Sequence, residues 1–229
     1  MESTDALAWD TGCRADPLRN DFLIPHLVEI LSREKSAKIL DVGTGTGYIP
    51  RQIHGLLNHN PEWTLVDTDS ERLRVATALS PPELQMKGIV GEIGSLGLDR
   101  DAYDAVLLTF TLLEAEEPAA MLADVIRFVA MNGILIIAIP DGWRDLLEAN
   151  DGNLRPCLQY LTETVALAKI DKFTGSPYPF RMMRIESLIA TVLQHGCVLE
   201  ALEQGGSDGE VYMLIFRKTC QLIPTGPHA

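Results

Sequence analysis

Residues Lys38 to Tyr48 read Lys-Ile-Leu-Asp-Val-Gly-Thr-Gly-Thr-Gly-Tyr. A short, mainly apolar run, Ile39 to Val42, carries an acid at Asp41 and leads into three alternate glycines. A helix-compatible segment, Tyr48 to Leu57, follows. Strand, tight glycine turn and helix in that order bring backbone N–H groups and a helix N-terminus against a small ligand. Gly43, Gly45 and Gly47 leave the turn without side chains, so a ligand can lie against the backbone. Asp41, charged at the strand end, can accept hydrogen bonds from a cationic or hydroxylated group. The dinucleotide fingerprint G-x-G-x-x-G would need glycine at position 48, where the chain has Tyr48.

Trp63-Thr-Leu-Val-Asp67 reads as a second strand ending in an acid, and Asp67 lies 20 residues after Gly47. An acid about 20 residues past such glycines sits at the end of the second strand, in reach of ribose hydroxyls. Its two acceptor oxygens suit a cis-diol. Asp69, immediately before the helical pattern Ser70 to Leu79, is assigned the N-cap.

The order Asp-x-Gly-x-Gly-x-Gly resembles motif I of the class I S-adenosylmethionine-dependent methyltransferases. The resemblance implies that Asp41 lies near the methionine end of that cofactor. It also implies that Glu92, in the stretch Met86 to Ile93 read as a third strand and turn, meets the adenine amino group, where aspartate is the more usual residue. Tyr103 to Pro140 is similar to the family's motif IV, connecting helix and motif V. The implied cofactor-binding set is Asp41, Gly43, Gly45, Gly47, Asp67, Thr68, Glu92, Ile93 and Thr109. The likeness is close over about 38–140 and loose in the C-terminal third.

Charge limits the acceptor. The chain carries 32 acidic and 19 basic residues, a net charge of −13, and no cluster of Lys and Arg stands out. An enzyme acting on nucleic acid presents a basic face to phosphates, so nucleic acid is not expected as a partner. The fourth strand runs into Thr109-Phe-Thr-Leu, without the Asn/Asp-Pro-Pro-aromatic motif of methyltransferases that act on base amines. No apolar run approaches the roughly 20 residues that span a membrane. Cys13, Cys157, Cys197 and Cys220 are scattered, with no C-x-x-C pair or Cys/His cluster. Neither zinc nor a disulfide framework is therefore expected, and a reduced cytoplasmic setting is.

The fold expected is α/β: a doubly wound, Rossmann-like, seven-stranded sheet, mostly parallel, with an antiparallel C-terminal edge strand. A single domain over 1–219 would carry an N-terminal helical cap (1–35), with a helix over about Pro17 to Arg33, and a lid loop (171–184). A flexible tail would follow at 220–229. Helices are expected over Pro118 to Met131, stopped by Asn132-Gly133, over Leu154 to Ile170, and from Ile185 to His195-Gly196, where His195 is read as a C-terminal cap. Cys197 to Leu202 and Val211 to Phe216 are expected as the last two strands.

Ligands of open α/β sheets bind beyond the C-terminal strand ends, and Asp41, Asp67, Glu92 and Thr109 are all expected there. The reading is therefore a methyltransferase carrying a methyl group from S-adenosylmethionine to an O or N atom of a small-molecule metabolite. Substrate candidates are Trp9, Arg19, Glu114, Tyr178 and Arg181; the segment Phe173 to Met183 is either a lid or a cover for the core. Glu114 either orients a substrate or is a solvated carboxylate. Ala115 stands where the resemblance would place a histidine base, so no catalytic residue is assigned. A protein or peptide acceptor, a non-catalytic cofactor-binding subunit and a homodimer stay open.

Overall fold

The computed structural model describes residues 3–142, 144, 165–170, 177–207 and 209–220. Its centre follows a period of two. In the strand Tyr103–Thr109, Ala105 and Leu107 face one side and Val106 and Leu108 the other, all fully buried. A strand covered on both faces belongs inside a sheet with helices on both sides.

That sheet has seven strands. They are β1 (Lys38–Val42), β2 (Glu62–Asp67), β3 (Met86–Val90), β4 (Tyr103–Thr109) and β5 (Val129–Pro140), with β8 (Cys197–Gly205) and β9 (Val211–Lys218) completing it. The spatial order is β3-β2-β1-β4-β5-β9-β8. The first five pair in parallel, and β9 is antiparallel to both β5 and β8. The C-terminal pair thus forms one edge as expected, with β9 inside and β8 outermost.

Helices cover both faces. On one lie α1 (Ser3–Arg14), a π-helical segment (Leu18–Leu23), α2 (Ile24–Glu34), α3 (Tyr48–Ile53) and α4 (Ser70–Leu79). Leu23, Leu27, Leu31, Ile53 and Leu73 pack there against Ile39, Leu65, Leu107 and Ile136. On the other lie α5 (Pro118–Ile126) and α6 (Ile185–Gln194), whose Leu122, Val125, Leu188 and Val192 meet Leu40, Val106, Leu108 and Ile137. The Asp69 side chain accepts from the amides of Glu71 (2.8 Å) and Arg72 (3.2 Å), the expected N-cap of α4. His195 closes α6, its Nδ1 2.7 Å from the Thr191 carbonyl oxygen.

Several boundaries differ from the sequence reading. The N-terminal helix expected over 17–33 is two pieces, the π-helical segment and α2, with α1 added before them. The helix after Tyr48 ends at Ile53 rather than Leu57. Helix α5 ends at Ile126, not Met131, and Val129 already pairs with Tyr103 in the sheet. Buried Val129 fits the helical period and the strand equally well, so periodicity alone could not place the boundary. The stop is tertiary: almost fully buried Lys218, the last residue of β9, donates its Nζ to the carbonyls of Ile126 (3.0 Å) and Val129 (2.9 Å) and to Asp101 (2.6 Å). It satisfies carbonyls left open where the helix ends. Asn132-Gly133, read as a helix stop, is instead a kink within β5, with Asn132 at φ 63° and the register to β4 shifted beside it. A Cβ on Gly133 would stand 2.9 Å from the carbonyl oxygens of Ala130 and Asp104, so only glycine fits the bend.

The last part of the helix expected over 154–170 is a strand, β6 (Val165–Ile170). It pairs antiparallel with β7 (Pro177–Met182), inside the segment expected as a loop. Pro177 and Pro179 lie two apart, so both missing N–H groups fall on one edge of β7, as an edge strand tolerates. The rest of that expected helix, 154–164, and the expected tail from 221 onward lie outside the described residues. No helix among the described residues is long and apolar enough to cross a membrane.

Candidate active site

The glycine turn is held from behind. The amides of Gly43 and Thr44 donate to the Val66 carbonyl at 2.8 and 3.1 Å, so the turn after β1 is fastened to the end of β2. Gly43 has φ 70° and Gly45 φ 59°, a region that side-chain-bearing residues avoid. A Cβ on Gly43 would overlap Thr111, which packs across the turn from the end of β4 and donates Oγ1 to the Val42 carbonyl at 2.7 Å.

Two carboxylates flank the turn. Asp67 accepts from the Gly45 amide (2.7 Å) on one oxygen and the Asp69 amide (2.9 Å) on the other. It is thus part of the turn's framework, and each oxygen keeps a further lone pair. Asp41 is fully buried. Its Oδ2 accepts from Thr44 Oγ1 at 2.7 Å, while its buried Oδ1 has no hydrogen-bond partner among the described residues. Burial pushes its carboxyl up to about 7, against the pull of the Thr44 hydrogen bond, and nearby Asp67 adds to the rise. Asp41, expected as simply charged, is therefore partly protonated near neutral pH.

The glycine turn and Asp67 border a cleft of about 720 Å³ beyond the C-terminal strand ends. Its wall includes Gly43, Gly45, Asp67, Thr68, Glu92, Ile93 and Thr109 from the expected set. Asp41 lies under the wall, one residue before Val42, and Gly47 packs instead against Ala76 and Leu65 of the helix–sheet contact. Glu92 and Thr68 are exposed, and Ile93 is buried.

Of the substrate candidates, Trp9, Arg19 and Glu114 line the same cleft. Arg19 is ion-paired with Asp16 and sits 5.0 Å over the Phe110 ring and 5.7 Å from the Trp9 ring. Arg72 approaches Trp9 to 4.9 Å. Glu114 is exposed at the end of a 3-10 turn (Thr111–Leu113). Arg181 lies apart from the cleft wall, in a small depression with Met182 and Leu112, and donates to the Ala115 carbonyl at 3.4 Å. Tyr178 is on β7, opposite Lys169.

Sequence reasoning missed Arg72, Phe110 and the acids Glu116, Glu117 and Asp124, which also line the cleft. Phe110 was findable in principle, being the residue that follows Thr109. No local pattern marks Arg72 among helix arginines. Among the described residues no group of His, Cys, Asp and Glu is placed to hold a metal ion.

A family model described as a methyltransferase domain matches residues 33–197, most of the chain. The chain belongs to that family. It is a class I S-adenosylmethionine-dependent methyltransferase. No curated protein matches it. Solved structures with the same fold include an S-adenosylmethionine-dependent methyltransferase from Methanosarcina mazei, 17% identical, with TM-score 0.62 over 80% of this chain and 93% of that one. The PH0226 protein of Pyrococcus horikoshii is 18% identical, with TM-score 0.63 over 91% and 99%. Magnesium protoporphyrin IX methyltransferase from Synechocystis, solved with S-adenosylhomocysteine, is 14% identical, with TM-score 0.64 over 86% and 82%.

The site suits the methyltransferase cofactor on its own terms. Side chains on Gly43 and Gly45 are excluded by backbone conformation, and beneath them lies a buried carboxylate oxygen with an unmet acceptor. A ligand carrying a sulfonium and an ammonium group matches that acceptor, and the cleft is of ordinary small-ligand size.

Proposed function

We propose that this methyltransferase acts on an O or N atom of a small-molecule metabolite, using proximity and orientation. The observation that carries the reading is convergence: the glycine turn, Asp67, Glu92–Ile93 and Thr109, from four strand ends, border one cleft. Asp41 sits immediately beneath it. S-adenosylmethionine supplies a methyl carbon that is already electrophilic.

The chain's residues then have distinct tasks. Asp41 faces the positive charge of the methionine end. Asp67, held by the Gly45 and Asp69 amides, offers its free lone pairs to the ribose hydroxyls. Glu92 accepts from the adenine amino group, and Ile93 packs beside it. The turn amides and Thr109 complete the cradle. Holding acceptor and donor in line supplies several kcal/mol, up to about 7–11 in favourable cases. A neutral amine or a phenolate needs little further help, which accords with the lack of a histidine at Ala115.

A small acceptor is supported by the overall charge of −13 and by the acids Glu114, Glu116 and Glu117 on the cleft wall, which disfavour a phosphate backbone. The fold neighbour from Synechocystis is named for a small-molecule acceptor. The N-terminal cap of 1–35 supplies Trp9 and Arg19 to the cleft wall.

Isothermal titration with S-adenosylhomocysteine, with NAD as a parallel control, tests the cofactor site. Micromolar binding of the first alone supports it, and a screen with labelled S-adenosylmethionine then separates small acceptors from proteins. Label incorporated only into protein would overturn the small-molecule reading.

A further inference from the structure

Asp10 follows the cleft residue Trp9, yet its own carboxylate is buried, 3% exposed, and turned into the protein. It accepts from three elements. Thr46 Oγ1, inside the glycine turn, donates at 2.9 Å; Arg51 Nη2 on α3 donates to the same oxygen; Arg14 Nε, one turn along α1, donates to the other at 3.0 Å. Thr46 is itself fully buried, and the Arg51 and Asp10 side chains are each 4% exposed. The C-terminal end of α1 has a second tie to α3. Asn20 Nδ2 donates to the carbonyls of Arg14 (3.0 Å) and Asp16 (2.8 Å), and its Oδ1 accepts from Tyr48 Oη at 2.6 Å.

The result is placement of one ring. Trp9, next to Asp10, lies over the turn so closely that a Cβ on Gly45 would stand 3.4 Å from its Nε1. A charged group buried among donors holds a single geometry, because any shift leaves a charge unpaired. We infer that Asp10 is a positioning residue of the cofactor site, locking α1 to the glycine turn through Thr46 and Arg51 so that Trp9 forms the wall above Gly45. The inference rests on the reading of that turn as the cofactor cradle. It makes the N-terminal segment part of the site rather than an appendage.

The test is S-adenosylhomocysteine affinity, by calorimetry, in the full chain. Asp10→Asn keeps the shape and removes the charge; charge-assisted hydrogen bonds of this kind correspond to an affinity loss of about tenfold or more. Thr46→Val removes one hydrogen bond without stranding Arg51 and should weaken binding by about fivefold, while Thr46→Ser restores it. A purely structural role would lower the melting temperature without any link to Trp9. Positioning requires that Asp10→Asn and Thr46→Val cost little further affinity once Trp9→Ala is present.

Undiminished losses in that background overturn the proposal, as does wild-type affinity in folded Asp10→Asn or, should that variant fail to fold, in Thr46→Val. A wild type that binds no S-adenosylhomocysteine overturns the cofactor reading and the proposal together. Binding by wild type and variants alike overturns the proposal alone.

Discussion

The two sides of the cleft are built differently. The side made by β1, β2 and α1 is a closed lattice of short hydrogen bonds: Gly43, Thr44 and Gly45 are fastened to Val66 and Asp67, and Thr46 to Asp10. Its carboxylates Asp10, Asp41 and Asp67 are all buried. The opposite side, from Thr111 to Asp124, carries exposed Glu114, Glu116 and Glu117 around a single 3-10 turn. A ligand of fixed shape is met best by groups held in advance, because less ordering remains to be done on binding. A wall of solvated side chains can be exchanged without disturbing the fold. On the function proposed above, the first side would take the cofactor and the second the acceptor.

The sharpest way to break this contrast is Gly45→Val. A branched residue at φ 59° strains the turn and fills its concave face, so S-adenosylhomocysteine affinity should fall by about a hundredfold or more. Retained affinity by calorimetry would remove the turn from the site. Asp67→Ala comes next. It strips an acceptor from the Gly45 and Asp69 amides as well as from the ligand, and a loss of about tenfold to a hundredfold is expected. Unchanged affinity would leave Asp67 as turn scaffolding only.

Asp41 gives a pH signature on the same side. With its carboxyl at about 7 when folded against 3.8 ordinarily, the folded chain holds the proton more tightly than the unfolded chain between those values. Its contribution to stability therefore falls as pH rises through that window and levels off above about 7. Asp41→Asn should melt increasingly above wild type from pH 4 to pH 7, as thermal unfolding in a buffer series would record. A cationic ligand favours the ionised form, so wild-type binding should release a proton and weaken by about tenfold from pH 8 to pH 6. Equal calorimetric enthalpies in buffers of different ionisation heat would contradict this.

The smallest effect belongs to the acceptor side. Glu114→Gln should leave S-adenosylhomocysteine affinity within about twofold, since an exposed charge contributes little across a solvated cleft. A change in the acceptor's KM at constant cofactor affinity would sharpen the division; a tenfold loss of cofactor affinity would erase it.

The same division explains what could be read from sequence. The glycine turn, Asp69 as a cap and the strands up to Ile139 follow from local requirements: backbone freedom, a side-chain acceptor at a helix start, an unbroken apolar run. Contacts distant in sequence left no local trace. The end of α5 depends on Lys218, about ninety residues farther along. The burial of Asp10 depends on Arg51 and Thr46. The β6–β7 pairing overrode a composition that suited a helix, and its prolines looked like loop markers because only pairing shows them to share an edge.

The position of β9 bears on how the chain assembles as it is made. Five parallel strands can associate once residue 140 has emerged from the ribosome, yet the outer edge of β5, from Ile134 to Pro140, then faces no partner until residues 211–218 arrive to pair with it. During that interval a run of seven apolar residues offers its open amides and carbonyls to any passing strand. Synthesis speed over the roughly seventy intervening residues, at about 5–20 residues per second, sets how many seconds this methyltransferase spends with that edge bare. The yield of folded enzyme should accordingly respond to synonymous changes in that stretch that alter its rate of translation.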